Sequence, residues 1–251
     1  MFTNERKPYL PRHPGMEVQQ RLAAARTAAP NRDGRVLVIG DSMNVNGRHH
    51  LAMQTPGATS VEAVDLRDLL NFARQFDLAS PNALRLLAEF ATSLMTEVGT
   101  ANLLARVETI RGGRARTPAT PAEAAAVTFM MTPSHNTSID LLQSLADQHG
   151  ARVYRPEVLH CCISALRAAG GEGGFTDAAM QMRERNRHLG RPLGRRAVGS
   201  TLLLKGLEAD VAVILEPQRM TAQHLYVALT RGARRVVVCS LTPLLTPAPG
   251  R

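Results

Sequence analysis

Tryptophan is absent from the 251 residues, and aromatic residues make up only 4 % of them. With six Phe and three Tyr, platforms on which unpaired bases could stack are thin. Lysine is nearly missing as well: of 30 basic residues only Lys7 and Lys205 are lysines, and the rest are arginine. No Gly-x-x-x-x-Gly-Lys-Ser/Thr occurs, and Lys205 stands between Leu204 and Gly206, so it cannot be the lysine of such a phosphate-cradling loop. The dipeptide Asp-Glu does not occur either, which removes the adjacent carboxylates that would serve magnesium and water. This excludes a self-contained P-loop nucleotide hydrolase. Three cysteines, Cys161, Cys162 and Cys239, lack ligand spacing and read as free buried thiols of a reducing cytoplasm. No apolar run reaches membrane-spanning length, and the polar, proline-broken start, Met1 to Arg12, is unlike a signal peptide.

What is present is charge and a core. The net charge is +9, which favours a polyanionic partner. Nucleic acid fits better than a membrane, since no basic helix with a broad apolar face stands out. Apolar residues at 44 % suffice for a packed interior.

The densest information lies in residues 199–240. One block reads Gly199-Ser200-Thr201-Leu202-Leu203-Leu204-Lys205-Gly206-Leu207-Glu208-Ala209-Asp210, and a second Leu225-Tyr226-Val227-Ala228-Leu229-Thr230-Arg231. The apolar runs Val211–Leu215 and Arg235–Ser240 read as buried strands. Such strands with polar chemistry at their ends point to a parallel α/β sheet, with ligands expected beyond the strand carboxyl ends.

The two blocks together resemble motifs V and VI of the UvrD-like superfamily 1 helicases. The resemblance implies that Arg231 is an arginine finger for the γ-phosphate of ATP. It further implies that Glu208 bonds the nucleotide sugar, that Gly206 lets the backbone approach, and that Lys205 and Tyr226 lie beside the nucleotide. Ser200 and Thr201 would touch the DNA backbone, with Arg48, Arg195 and Arg196 as further DNA contacts. Leu202 departs from the pattern, since many relatives carry histidine there. The chemistry of Arg231 is independent of the resemblance: a planar, permanently charged guanidinium suits the charge spread over the equatorial oxygens in phosphoryl transfer. The alternative role is a cation capping the helix Gln223–Arg231.

The order of elements agrees with that layout. Residues 1–30 read as a lead-in with a helix from Met16 to Thr27, and 31–78 with 195–241 as a RecA-like parallel-sheet domain, the second-lobe type of P-loop NTPases. Residues 79–194 read as a helical insert like a 2B subdomain, and 242–251 as a disordered tail. Within this frame Arg35–Ile39 is a buried strand and Asn44–His50 its following loop. Thr59 and Glu62 read as a capping box opening a helix to Phe76. Helices are also expected at Ser80–Glu97, Ala101–Ile110, Thr120–Met131, Ser138–His149, Pro156–Ala169 and Thr176–His188. Arg111–Pro118 reads as a basic linker that either grips phosphates or is simply solvated, Gly170–Gly174 as a loop, and Arg183–Arg196 holds six arginines against one glutamate.

A rival signal is Gly40-Asp41-Ser42 after a strand, as in SGNH hydrolases, but their Asp-x-x-His is missing. The leading expectation is therefore the C-terminal half of a helicase motor. It would act on DNA, single-stranded in the first instance, and share ATP and Mg²⁺ with a first lobe in the same gene product or another chain. A non-catalytic DNA-binding module of the same shape is the alternative. The isolated chain is expected to bind ATP weakly and show no turnover; vigorous hydrolysis abolished by changing Arg231 would contradict the reading.

Overall fold

The computed structural model describes residues 9–11, 17–169, 174–188, 194–240 and 242–249. The chain divides into two units, residues 1–61 with 192–251, and residues 62–191. The first runs β1 (Tyr9–Pro11), α1 (Glu17–Ala25), β2 (Val36–Gly40), α2 (Val45–Gln54) and β3 (Ala58–Ser60). The second holds α3 (Arg67–Gln75), α4 (Ala83–Thr92), α5 (Thr100–Arg111), α6 (Pro121–Met131), α7 (His135–Ala146), α8 (Pro156–Ala168) and α9 (Gly174–His188). The chain then returns to the first unit with β4 (Arg196–Ser200), β5 (Ala209–Leu215), α10 (Ala222–Leu229) and β6 (Gly232–Ser240).

Every strand pairing is parallel, in the order β1-β6-β5-β2-β4-β3. The α/β class expected from the sequence holds, and the sheet is consistent with a RecA-like fold. Alternation along the strands shows why these segments read as unbroken apolar runs. Leu37, Ile39, Ala197, Ala212 and Ile214 pack on one face with Leu204, Leu225 and Ala228. Val36, Val38, Val198, Val211 and Val213, one residue out of phase, are buried on the other. There α1 packs on β5 and β6, and α2 on β3 and β4. A sheet covered on both faces needs no polar alternation.

Several local expectations are corrected. Thr59 and Glu62 do not cap a helix: Thr59 lies in β3, and the following helix starts at Arg67. The presumed loop Asn44–His50 is the start of α2, capped by Asn44 accepting from the Gly47 amide at 2.7 Å. The strand β4 was hidden in the basic run because Arg-Ala-Val-Gly-Ser carries one β-branched residue. Its glycine is required by packing, since a Cβ on Gly199 would come within 2.9 Å of Leu204. Helix α3, grouped with the sheet in the sequence reading, belongs to the helical unit, where Phe72 stacks on Phe90 with ring centroids 4.0 Å apart. The tail is not loose over 242–249: the Ala248 amide donates to the Met220 carbonyl at 2.8 Å, and Leu245 packs on the core. Gly170–Gly173 and, from the basic run, residues 189–193 lie outside the described residues.

In the helical unit Leu84, Leu87, Phe90 and Leu94 are buried, and Thr120 forms a capping box with Glu123. The cysteines are free and buried, and burial pushes the Cys161 thiol up to about 11. Among the described residues no helix is long and apolar enough to cross a membrane.

One buried charge organises this unit. Arg155, 3 % exposed, forks onto both carboxylate oxygens of Glu62 at 2.8 Å and onto Asp68 at 2.7 Å. Burial alone lowers the Arg155 pKa, but these bonds more than offset it and leave it raised. The pair ties the N-terminus of α8 to the segment entering α3. Arg155→Met, which strands Glu62 in the interior, is expected to cost about 3–5 kcal/mol in chemical denaturation followed by far-UV circular dichroism.

Candidate functional site

Arg231 follows the C-terminus of α10. Its Nε–H donates to the Val227 carbonyl at 3.0 Å, one terminal nitrogen to the Leu207 carbonyl at 3.1 Å, and the other to Thr230 Oγ1 at 3.2 Å. Three of the five guanidinium N–H groups are thus directed to protein acceptors. The first of these bonds is a helix cap; the second crosses to the other motif block, at the residue before Glu208. Sequence-distant segments therefore meet at one place, the amino end of β5 and β6, where Ala209 and Gly232 are register partners.

Around Arg231, Lys205, Gly206 and Glu208 are exposed on the turn between β4 and β5. Tyr226 is 70 % exposed on α10. Gly206 has φ +82°, and a Cβ there would meet nothing within 4 Å. Its use of glycine is conformational, and the space beside it is open. The Glu208 carboxylate and the Tyr226 ring are exposed on the segments that Arg231 links. The expectation that ligand chemistry gathers at strand carboxyl ends does not hold for these residues, which lie at the amino edge.

The residues assigned to DNA divide between the two edges. Ser200 and Thr201 end β4 at the carboxyl edge, but they are 4 % and 2 % exposed. Ser200 Oγ accepts from the Leu203 amide at 3.3 Å, and Thr201 Oγ1 is enclosed without a hydrogen-bond partner. Contact between these hydroxyls and a phosphate requires the turn to open. Arg48, 7 % exposed, donates from α2 to the carbonyls of Asp41 and of Ser42, so it shapes the loop after β2. Arg195 and Arg196 sit at the other end of β4, about 13 Å away along the strand. Arg196 donates to the Ala25 carbonyl, and burial lowers its pKa. Arg195 is exposed and reaches Asp33 at 3.6 Å.

At the carboxyl edge, where ligands were expected, lies a crevice whose residues Arg21 and Glu216 the sequence did not mark. The chain leaves β2 toward β3 on one side and β5 toward β6 on the other, so the switch point of the sheet lies between β2 and β5. A cavity of about 230 Å³ opens there, lined in part by Arg21, Gly40, Asp41, Arg48 and Glu216. Glu216 holds φ +54°, an uncommon conformation for a non-glycine residue, and pairs with Arg21 at 3.2 Å. Arg219 bridges to Asp41 at 3.0 Å, a bond that raises the Arg219 pKa. The available signal was an acidic residue closing an apolar strand just before Pro217. Among the described residues no hydrogen bond joins Ser42 to a histidine, and no group of three His, Cys, Asp or Glu is placed to hold a metal.

No protein-family model matches this chain, and no curated protein matches it.

The positive φ at residue 206 gives a direct check. Gly206→Ala is expected to lower stability by about 1 kcal/mol and Gly206→Asn by less, since asparagine tolerates the left-handed region. Equal losses in thermal denaturation would place the cost elsewhere than in backbone conformation.

Proposed function

We propose that this chain is the second RecA-like lobe of a UvrD-like DNA helicase motor, working in the cytoplasm and completed by a lobe that carries the phosphate cradle. The observation that carries the proposal is the bond from Arg231 to the Leu207 carbonyl, one residue before Glu208 in the chain. ATP, held with Mg²⁺ mainly by the other lobe, supplies the phosphoryl bond whose hydrolysis drives movement along DNA. On this side Glu208 accepts from the sugar hydroxyls, and Gly206 leaves the approach open. Lys205 and Tyr226 flank the nucleotide. Arg231 swings its fork from the carbonyls toward the γ-phosphate, exchanging neutral acceptors for a charged one. Ser200, Thr201, Arg48, Arg195 and Arg196 are the proposed DNA contacts of this reading, the first three after the carboxyl-edge loops rearrange.

A second reading is favoured by the same guanidinium. Because its bonds hold it within the lobe, as a helix cap and as a link to the Leu207 carbonyl, the lobe could keep the shape of a motor and serve only as a DNA-binding module. The two readings separate when the chain is mixed with a P-loop-bearing first lobe and single-stranded DNA. The motor reading expects DNA-stimulated ATP hydrolysis that falls about 10³-fold or more in Arg231→Ala. Its thermal midpoint should shift by only a few degrees, as expected for loss of one partly exposed cap. Hydrolysis unaffected by the change would leave the module reading.

A further inference from the structure

Parallel register gathers arginines that are far apart in the sequence. Val36 of β2 is the register partner of Arg196 in β4 and of Val211 in β5, and Val211 is the partner of Arg235 in β6. One residue earlier on each segment stand Arg195, Arg35, Asp210 and Arg234. They form a row at the amino edge; the β5–β6 register shifts between Ala209 and Val211, and there the ion pair of Asp210 with Arg234 continues the row. Backbone bonds hold it together: the Val36 amide donates to the Arg195 carbonyl at 2.8 Å, and the Val211 amide to the Arg35 carbonyl at 3.1 Å. Asp210 locks the middle, accepting from the Arg35 amide at 2.9 Å and from Arg234 Nε at 3.2 Å. At the usual spacing between strands the row is about 14 Å wide.

Its side chains are accessible. Arg35, Arg195 and Arg234 are all exposed, and the carboxylates paired with them are Asp33 and Asp210. Arg35 contributes an exposed guanidinium while its backbone, not its side chain, engages Asp210. The row also lies at the sheet edge that carries Arg231 and Glu208. Arginines on three of four aligned segments, with Asp210 on the fourth, form a linear array of donors with a fixed base, which matches a chain of phosphates better than a single anion.

We propose that Arg35, Arg195 and Arg234 form a contact for the phosphate backbone of a single nucleic-acid strand. This extends the DNA role given above to Arg195, and rests on it. It adds two residues that no motif marks, and moves the contact from the enclosed Ser200–Thr201 turn to the opposite edge of the sheet.

The test uses the full chain and a fluorescein-labelled single-stranded oligonucleotide, with anisotropy titrations over a range of salt. In the Arg35→Gln/Arg195→Gln/Arg234→Gln triple variant, the slope of log affinity against log salt is expected to be shallower by about 2, at ~0.7 per lost phosphate contact. Asp33→Asn, which removes the partner of Arg195, is expected to tighten binding about twofold. The control with the same change in charge is Arg111→Gln/Arg114→Gln/Arg116→Gln, exposed residues at the end of α5 and on the segment after it. An unchanged slope in the row variant overturns the inference. So does an equal change in the control, which would mean net charge alone. So does displacement of the oligonucleotide by polyglutamate at equal charge, which would assign the row to an acidic protein. An unbound oligonucleotide also overturns it, together with the DNA half of the proposed function. The nucleotide half stands or falls separately, on hydrolysis that depends on Arg231.

Discussion

Arg231 joins the two halves of the candidate site, through its guanidinium and through its backbone carbonyl. The bond from the Arg231 guanidinium to the Leu207 carbonyl at 3.1 Å and that from the Ala209 amide to the Arg231 carbonyl at 3.1 Å together tie the end of α10 to the turn before β5. The strands alone align Ala209 with Gly232, and the arginine fixes what stands on that alignment. Its dual character follows from chemistry. A helix C-terminus offers carbonyls that a cation satisfies, and the same planar fork suits phosphate oxygens better than it suits amide oxygens. In the proposed role the guanidinium rests pre-positioned on its own helix end, and its resting bonds are neutral ones that a charged ligand can outcompete.

The fold class was legible because both faces of the sheet are covered. Val36–Ile39, Val211–Leu215 and Val236–Val238 are apolar runs too short for helices and too unbroken for a half-exposed sheet. Helices α6 and α8 were legible from Thr120-Pro121-Ala122-Glu123 and from Pro156, where local chemistry decides. What escaped reading depends on distant residues. The strand β4 is made of small residues that tolerate the close approach of Leu204, and nothing in Arg-Ala-Val-Gly-Ser declares a strand between β2 and β3. Glu62 has the right spacing from Thr59 for a capping box, but Arg155 lies 93 residues away and claims its carboxylate.

The candidate site shows the same division. Gly206, Glu208, Tyr226 and Arg231 could be named because their order along the chain is a pattern. That Ser200, Thr201 and Arg48 are enclosed could not be read, since burial is set by the layers packed over the carboxyl edge. The row of Arg35, Arg195 and Arg234 was equally hidden. Its members stand in three separate stretches, and only the parallel register brings them together.

The central claim is that Arg231 stabilises phosphoryl transfer more than it stabilises bound nucleotide. The direct measurement is the ratio of affinities for ADP–aluminium fluoride and for ADP in the assembly with a P-loop lobe, comparing the unaltered chain with Arg231→Lys. The account requires the preference for the transition-state mimic to fall by about 10³ while ADP affinity stays near its original value. An unchanged preference would contradict it and leave Arg231 as a helix cap.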